Sequence, residues 1–254
     1  RRPAISTFRS RLPSAKMVQD SWLPPVAARK GKIVITDPTI DIEQLLAPNS
    51  EEAPCGTDPR SGSAWTDMKA ARQSRGENDP FSDSDVEPAD WPHVGEAAQG
   101  IFTGEGKHIE VACDLTEALI RLHGYAGLRD GLRLIRELQE RHWEHFYPVL
   151  DTEDEMALEE SLLDRGGPLN GLNTNIVNAL GQVQVTGAAG MDNFSWLLYN
   201  DAQYVENEGR KDAEARSRLI ADGRPDPDLV ASAIGATDWQ FYEGGLTCLT
   251  EASE

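Results

Sequence analysis

The chain has 254 residues, 39% of them hydrophobic, enough to bury a core in one large domain or two small ones. Its net charge of −19 is unevenly placed: residues 1–33 hold eight of the 24 Lys and Arg and one acid, Asp20, which leaves 16 basic against 42 acidic side chains, a net −26, in the rest. A body this acidic repels phosphate backbones, which argues against nucleic-acid binding by the folded part.

Cys55, Cys113 and Cys248 are odd in number and far apart, with neither a disulfide framework nor a metal-ligand spacing, and fit a reducing cytoplasm. No run approaches the roughly 20 apolar residues that span a bilayer, and no apolar signal core opens the chain, so direct membrane insertion is not expected.

Residues 1–39 are basic and proline-broken and read as an irregular or disordered arm, in which Met17 is a candidate natural start. A transit peptide and an arm docking on an acidic partner are the sharper readings of the same stretch. A short helix follows at 41–46, then the connector PNSEEAPCGTD at 48–58. Residues 63–75 place Ala64, Trp65, Met68 and Ala71 or Arg72 on one helical face. The acidic segment 76–90 reads as a mobile loop. At Asp90-Trp91-Pro92 a helix starts, since Asp90 is a good cap and Pro92 loses nothing in a first turn. Its apolar face is Trp91, Val94, Ala98, Ile101 and Phe102, and the loop 103–106 ends it.

The segment 111–146 is predicted to be an antiparallel helical hairpin. Val111, Leu115, Ala118, Leu119 and Leu122 recur at helical spacing, and Leu128, Leu132, Ile135, Leu138 and His142 or Trp143 repeat the pattern. Gly124 supplies the stop, Gly124 to Gly127 form the link, and Pro148 forbids continuation. Roughly ten buried apolar side chains at about 1.5–3 kcal/mol each do not offset the ordering of the hairpin, so other helices must cover it.

After the acidic run 151–155 a helix through Met156, Glu159, Leu162 and Leu163 is expected to stop at Gly166-Gly167-Pro168. Residues 169–190 are ambiguous, with Val183 and Val185 alternating like a short strand and little regular sheet expected. Helical patterning returns at 194–205, 212–220, 227–234 and 238–252. The last pattern is still running where the sequence stops, as at the start of a longer region. The fold class expected is all-α.

Chemistry-bearing patterns are few. His142 and His145, with Glu144 between, are three apart and share a helical face, but the sequence places no third metal ligand, and packing, capping or interface roles account for both. The stretch 79–87 alternates carboxylates like a calcium loop but lacks its Gly and closing Glu. No nucleophile elbow or phosphate-binding loop occurs, and no catalysis or cofactor is expected. Trp65, Trp91, Trp143, Trp196 and Trp239 each fall on or beside an apolar helix face and read as core. Tyr125, at the hairpin turn, is the aromatic best placed to meet a partner, with His142 and His145 as further candidates.

Several segments in order carry a family likeness: IDIEQLLAPNSEEAPCGTD at 40–58, ADW at 89–91, GKHIEVACDLTEALIRLHGYAGLRDGLRLI at 106–135 and HWEHFYPVLD at 142–151. Together they resemble the ImpA-like N-terminal domain of the TssA family, from bacterial type VI secretion systems, over about residues 40–205. The chain departs from the family pattern at Pro59-Arg60-Ser61, and residues 1–39 and 206–254 match it loosely or not at all.

The resemblance implies a three-part organisation: the arm 1–39, an all-helical domain 40–205, and a helical extension 206–254. It implies a non-enzymatic scaffold in the bacterial cytoplasm, at the membrane-proximal secretion assembly. Its partners would be baseplate, sheath or inner-tube subunits, and self-association would run through a C-terminal region beyond this chain. A sheath-capping or stopper paralogue with the same N-terminal domain is the alternative. A metal-dependent hydrolase using His142 and His145 is the remote one.

Overall fold

The computed structural model describes residues 36–74 and 88–254, which contain ten α-helices and no strand beyond three isolated backbone bridges. Helix α4, Ile109–His123, sits at the centre, buried from Val111 to Ile120 and packed against α3 (Trp91–Gly104), α5 (Tyr125–His142) and α6 (Glu155–Gln182). The short helices α1 (Ile42–Leu46) and α2 (Ser63–Ala71) close the other side of α3. Ile42, Leu45, Met68, Val94, Ile101, Phe102, Leu115, Leu134, Leu138 and Phe146 share one core with them.

Helix starts follow the sequence closely. Asp41 caps α1 by accepting from the Gln44 N–H, and Asp90 caps α3 by accepting from the His93 N–H. Val94, Ala98, Ile101 and Phe102 are fully buried, as their spacing requires. In the segment 63–75 the helix ends at Ala71, and α3 runs two residues into the expected loop 103–106.

The hairpin of α4 and α5 is present, but its link is tighter than the four residues expected. Only Gly124, at φ 61°, lies between the helices, and Tyr125, Ala126 and Gly127 begin α5. Close approach demands this: a Cβ on Gly127 would sit 2.0 Å from the Leu119 carbonyl oxygen. Leu122, expected on the buried stripe, is 41% exposed, and Leu134 takes a fully buried place in the core.

The expected stop at Gly166-Gly167-Pro168 does not occur, and α6 runs unbroken for 28 residues with Pro168 inside it. The missing N–H at Pro168 costs about 3 kcal/mol in a helix interior. Burial on both sides offsets it: Arg165 is buried just before, and Leu169, Leu172 and Ile176 pack into the core just after. After α6 the chain makes one bridge, Gln184 to Ser195, where a short strand had been read.

Helices α7 (Trp196–Gly209), α8 (Ala213–Ala221), α9 (Pro227–Ala236) and α10 (Trp239–Ala252) match the four expected segments. Ser195, Asp212, Asp226 and Asp238 cap them through side-chain oxygens. Helix α7 packs on α8 and α9, and α10 returns to α5. Of the arm 1–39, only residues 36–39 are among those described. They lie against α5, with the Thr39 N–H and hydroxyl both donating to Asp130 Oδ2, at 2.6 and 2.8 Å. The calcium-like stretch 79–87 and most of the expected loop 76–90 fall outside the described residues.

Candidate interaction surface

The connector, the start of the α4 segment and the loop after α5 meet at one corner of the fold and are engaged there with one another, while ADW lies apart at the α2–α3 junction, where the Asp90 N–H donates to Ala71 O at 2.8 Å. The connector pairs with the α3–α4 link: Cys55 O accepts from the Lys107 N–H and Glu105 O from the Thr57 N–H, both at 2.9 Å. The loop after α5 joins them, since Tyr147 N–H donates to Lys107 O at 2.8 Å, its carbonyl accepts from the Ile109 N–H at 2.9 Å, and its hydroxyl donates to Gly56 O at 3.2 Å. Arg165 reaches in from α6 and donates to the carbonyl oxygens of Trp143, Phe146 and Pro148 at 2.8, 2.8 and 2.6 Å. These bonds satisfy backbone groups that the irregular loop would otherwise bury unpaired.

Two titratable groups in this corner have the burial of catalytic residues without the geometry. Lys107 is fully buried, and its ammonium donates to Asn49 Oδ1 at 2.6 Å and to Phe102 O at 3.3 Å, with burial pushing its pKa down. His108 is buried edge-on against Trp65, and its Nδ1 caps α4 by accepting from the Glu110 N–H at 3.1 Å. Burial lowers its pKa to about 4.

Between α2 and α4 runs a charged seam. Lys69 pairs with Glu110 and Asp114, Arg72 with Asp114 and Glu117, and Arg121 with Glu117 while covering the Trp91 ring at 4.3 Å. Asp114 is so buried that desolvation raises its pKa despite the two cations. The seam ties two helices together, and Trp65 and Trp91, expected in the core, are half-buried against its edge.

The residues singled out from sequence separate in the structure. Helix α5 ends at His142, so His145 is not on the same helical face; it is exposed in the following turn. His142 Nε2 lies 2.9 Å from the Leu46 carbonyl and joins α5 to the end of α1. No group of three His, Cys, Asp or Glu able to hold a metal occurs among the described residues. Tyr125 does not project freely: it is half-buried at the start of α5, where burial raises its pKa, and its ring would meet a Cβ on Gly245 of α10 at 3.2 Å.

Tyr125 instead forms part of the wall of an open groove. The α4–α5 turn, the end of α6 and the first turns of α10 enclose it, and Leu122, Tyr125, Val183, Phe241 and Gly245 line it. Its lining is largely uncharged. Arg121, at one rim, is held by Glu117 and by Gln182 Oε1 at 3.0 Å. At the other end Thr36 approaches Cys248, 3.1 Å between Oγ1 and Sγ.

Periodicity missed how much apolar surface stays open in the second half of the chain. Trp143, Trp196 and Trp239 were expected in the core and are exposed, as are Leu197, Leu198, Leu246 and Leu249. The spacing that placed them on apolar faces was correct; among the described residues those faces are covered only in part, Arg165 of α6 lying over the Trp143 ring at 5.0 Å and Gly181 of α6 lying beside Leu197. The three cysteines are free and buried.

Residues 46–174, half of the chain, match the family described as "ImpA, N-terminal, type VI secretion system". A curated relative, the type VI secretion system component TssA1 of Pseudomonas aeruginosa, is 36% identical over 118 residues, 46% of this chain and 34% of that protein. The chain thus spans about a third of that relative's length. Among solved structures, the N-terminal domain including the conserved ImpA_N region of TssA from Burkholderia cenocepacia superposes with a TM-score of 0.69 at 26% identity, covering 84% of this chain and 78% of that one. The expected all-α fold and TssA-type likeness are both upheld, and the chain belongs to the ImpA N-terminal family of type VI secretion system components.

Proposed function

We propose that this domain is a non-enzymatic scaffold that binds baseplate, sheath or inner-tube subunits during assembly of the contractile secretion tail in the bacterial cytoplasm. One observation carries the reading: three of the family-defining segments are engaged internally at one corner, while a largely apolar groove with Tyr125 in its wall stays open at the α4–α5 turn. Internal bonds make those segments a frame, and open apolar surface bounded by polar residues is what protein partners bury. Among the described residues no helix is long and apolar enough to cross a membrane.

The boundaries 1–39, 40–205 and 206–254 are kept as a proposed organisation, and the stopper-type paralogue with the same N-terminal domain is the alternative reading. Co-purification of the full-length protein with each cognate baseplate, sheath and tube subunit tests the proposal. Retention of at least one is the expected result; retention of none, by protein whose circular dichroism is that of a folded helical domain, overturns it.

A further inference from the structure

Helix α6 presents an outward face that stays exposed among the described residues. Along its first half Met156 is 75% exposed and Leu163 68% exposed, with Leu162 open beside them. Seven carboxylates, Asp151, Glu153, Asp154, Glu155, Glu159, Glu160 and Asp164, occupy the same 14 residues with no Lys or Arg among them. None of the seven is ion-paired to a described cation, whereas the carboxylates of the α2–α4 seam and most of those on α5 are paired. The helix dipole accounts for Asp154 and Glu155 in the first turn, but its effect fades before Glu159, Glu160 and Asp164. Glu155 and Glu159, and Glu160 and Asp164, stand four apart and repel each other.

The stripe continues beyond the charges. Met156, Glu160, Leu163, Gly167 and Gly171 follow one another at spacings of three and four and so share a face. A Cβ added to Gly167 or Gly171 would meet nothing within 4 Å. A glycine inside a helix costs about 0.5–1 kcal/mol relative to Ala, and here no packing among the described residues requires it. Bare backbone on an exposed helix permits close approach by another helix.

We propose that the outward face of α6 from Met156 to Gly171 docks a basic amphipathic helix of another protein, one whose apolar stripe meets Met156 and Leu163 and whose flanking Lys or Arg meet Glu159, Glu160 and Asp164. Charge complementarity selects this occupant. The folded part of a second copy would bring acidic surface against acidic surface, since residues 34–254 carry a net −26. The inference goes beyond the scaffold reading and does not involve the groove at Tyr125.

The probe is a synthetic 18-residue helical peptide with leucines at three- and four-residue spacing flanked by lysines, labelled and titrated with the full chain by fluorescence anisotropy. A lysine peptide of identical composition with scrambled spacing is the control. The patterned peptide is expected to bind at least tenfold more tightly than the scrambled one, with affinity falling as salt is raised. Met156→Gln with Leu163→Gln, and separately Glu159→Gln with Glu160→Gln, are each expected to weaken binding at least fivefold while leaving the thermal midpoint unchanged, since all four side chains are exposed and Gln is a comparable helix former. No binding by the wild-type chain, equal binding of both peptides, or variants that bind like wild type would each overturn the proposal. Co-purification with secretion subunits reads the scaffold role separately.

Discussion

The guanidinium of Arg165 lies 3.9 Å from the centre of the Phe146 ring while its Nη2 donates to the Phe146 carbonyl at 2.8 Å. One side chain from α6 thereby holds both the ring and the backbone of the loop that ends α5. Its other donors take Trp143 O and Pro148 O, and the loop in turn holds the connector through Tyr147. Arg165→Met removes the donors and keeps the stem. A loss of about 3 kcal/mol is expected in urea unfolding, since each orphaned buried carbonyl costs about 1–3 kcal/mol and some regain water. Arg165→Lys should rescue only part of it, because an ammonium lacks the planar fork. An unchanged urea midpoint would mean that the loop holds without the clamp.

Two glycines should respond to alanine with opposite signs. Gly127→Ala forces a methyl against the Leu119 carbonyl at the α4–α5 crossing, where backbone must move, and a loss of more than 2 kcal/mol is expected. Gly167→Ala adds a methyl in open space on a helix and should raise stability by about 0.5–1 kcal/mol. Thermal unfolding of the two variants beside wild type checks both signs at once.

His108 gives the fold a defined acid sensitivity. Its folded pKa of about 4 lies below the ordinary 6.5, so the unfolded chain binds the proton first. The contribution is present above about pH 6.5 and is lost as pH falls towards 4, on the order of 3 kcal/mol in all. His108→Asn keeps an oxygen to accept from the Glu110 N–H and removes the titration. Wild type should therefore lose stability relative to His108→Asn between pH 6.5 and 4, while parallel stability curves would contradict the assignment.

The histidines at the end of α5 should act through packing. His142→Ala removes the contact with the Leu46 carbonyl and is expected to cost about 1 kcal/mol without changing metal content. Elemental analysis of purified protein should find no stoichiometric zinc. Zinc at one equivalent, lost in His142→Ala, would revive the hydrolase reading.

Local signals in the sequence carried local structure well. Asp41 and Asp90 were legible as caps because a cap is decided within three or four residues, and the α4–α5 hairpin was legible because both stripes are long and periodic. Pro168 misled because the packing that offsets it comes from Leu169, Leu172 and Ile176 meeting a core assembled from distant helices. Trp196 and Trp239 misled differently: spacing identifies an apolar face but does not say whether anything covers it. The groove was only half visible, since Tyr125 stood out at the turn while Phe241 and Gly245 reach it from α10, far along the chain.

The most direct test of the central claim, that the family-defining corner is a frame and the open groove is where partners bind, is hydrogen–deuterium exchange of the full-length protein with and without a retained secretion subunit. Protection is expected on the groove walls, at residues 122–126 and 239–245, with 53–58, 105–109 and 143–148 unchanged. Protection confined to those three segments, with the groove unaffected, would contradict the account.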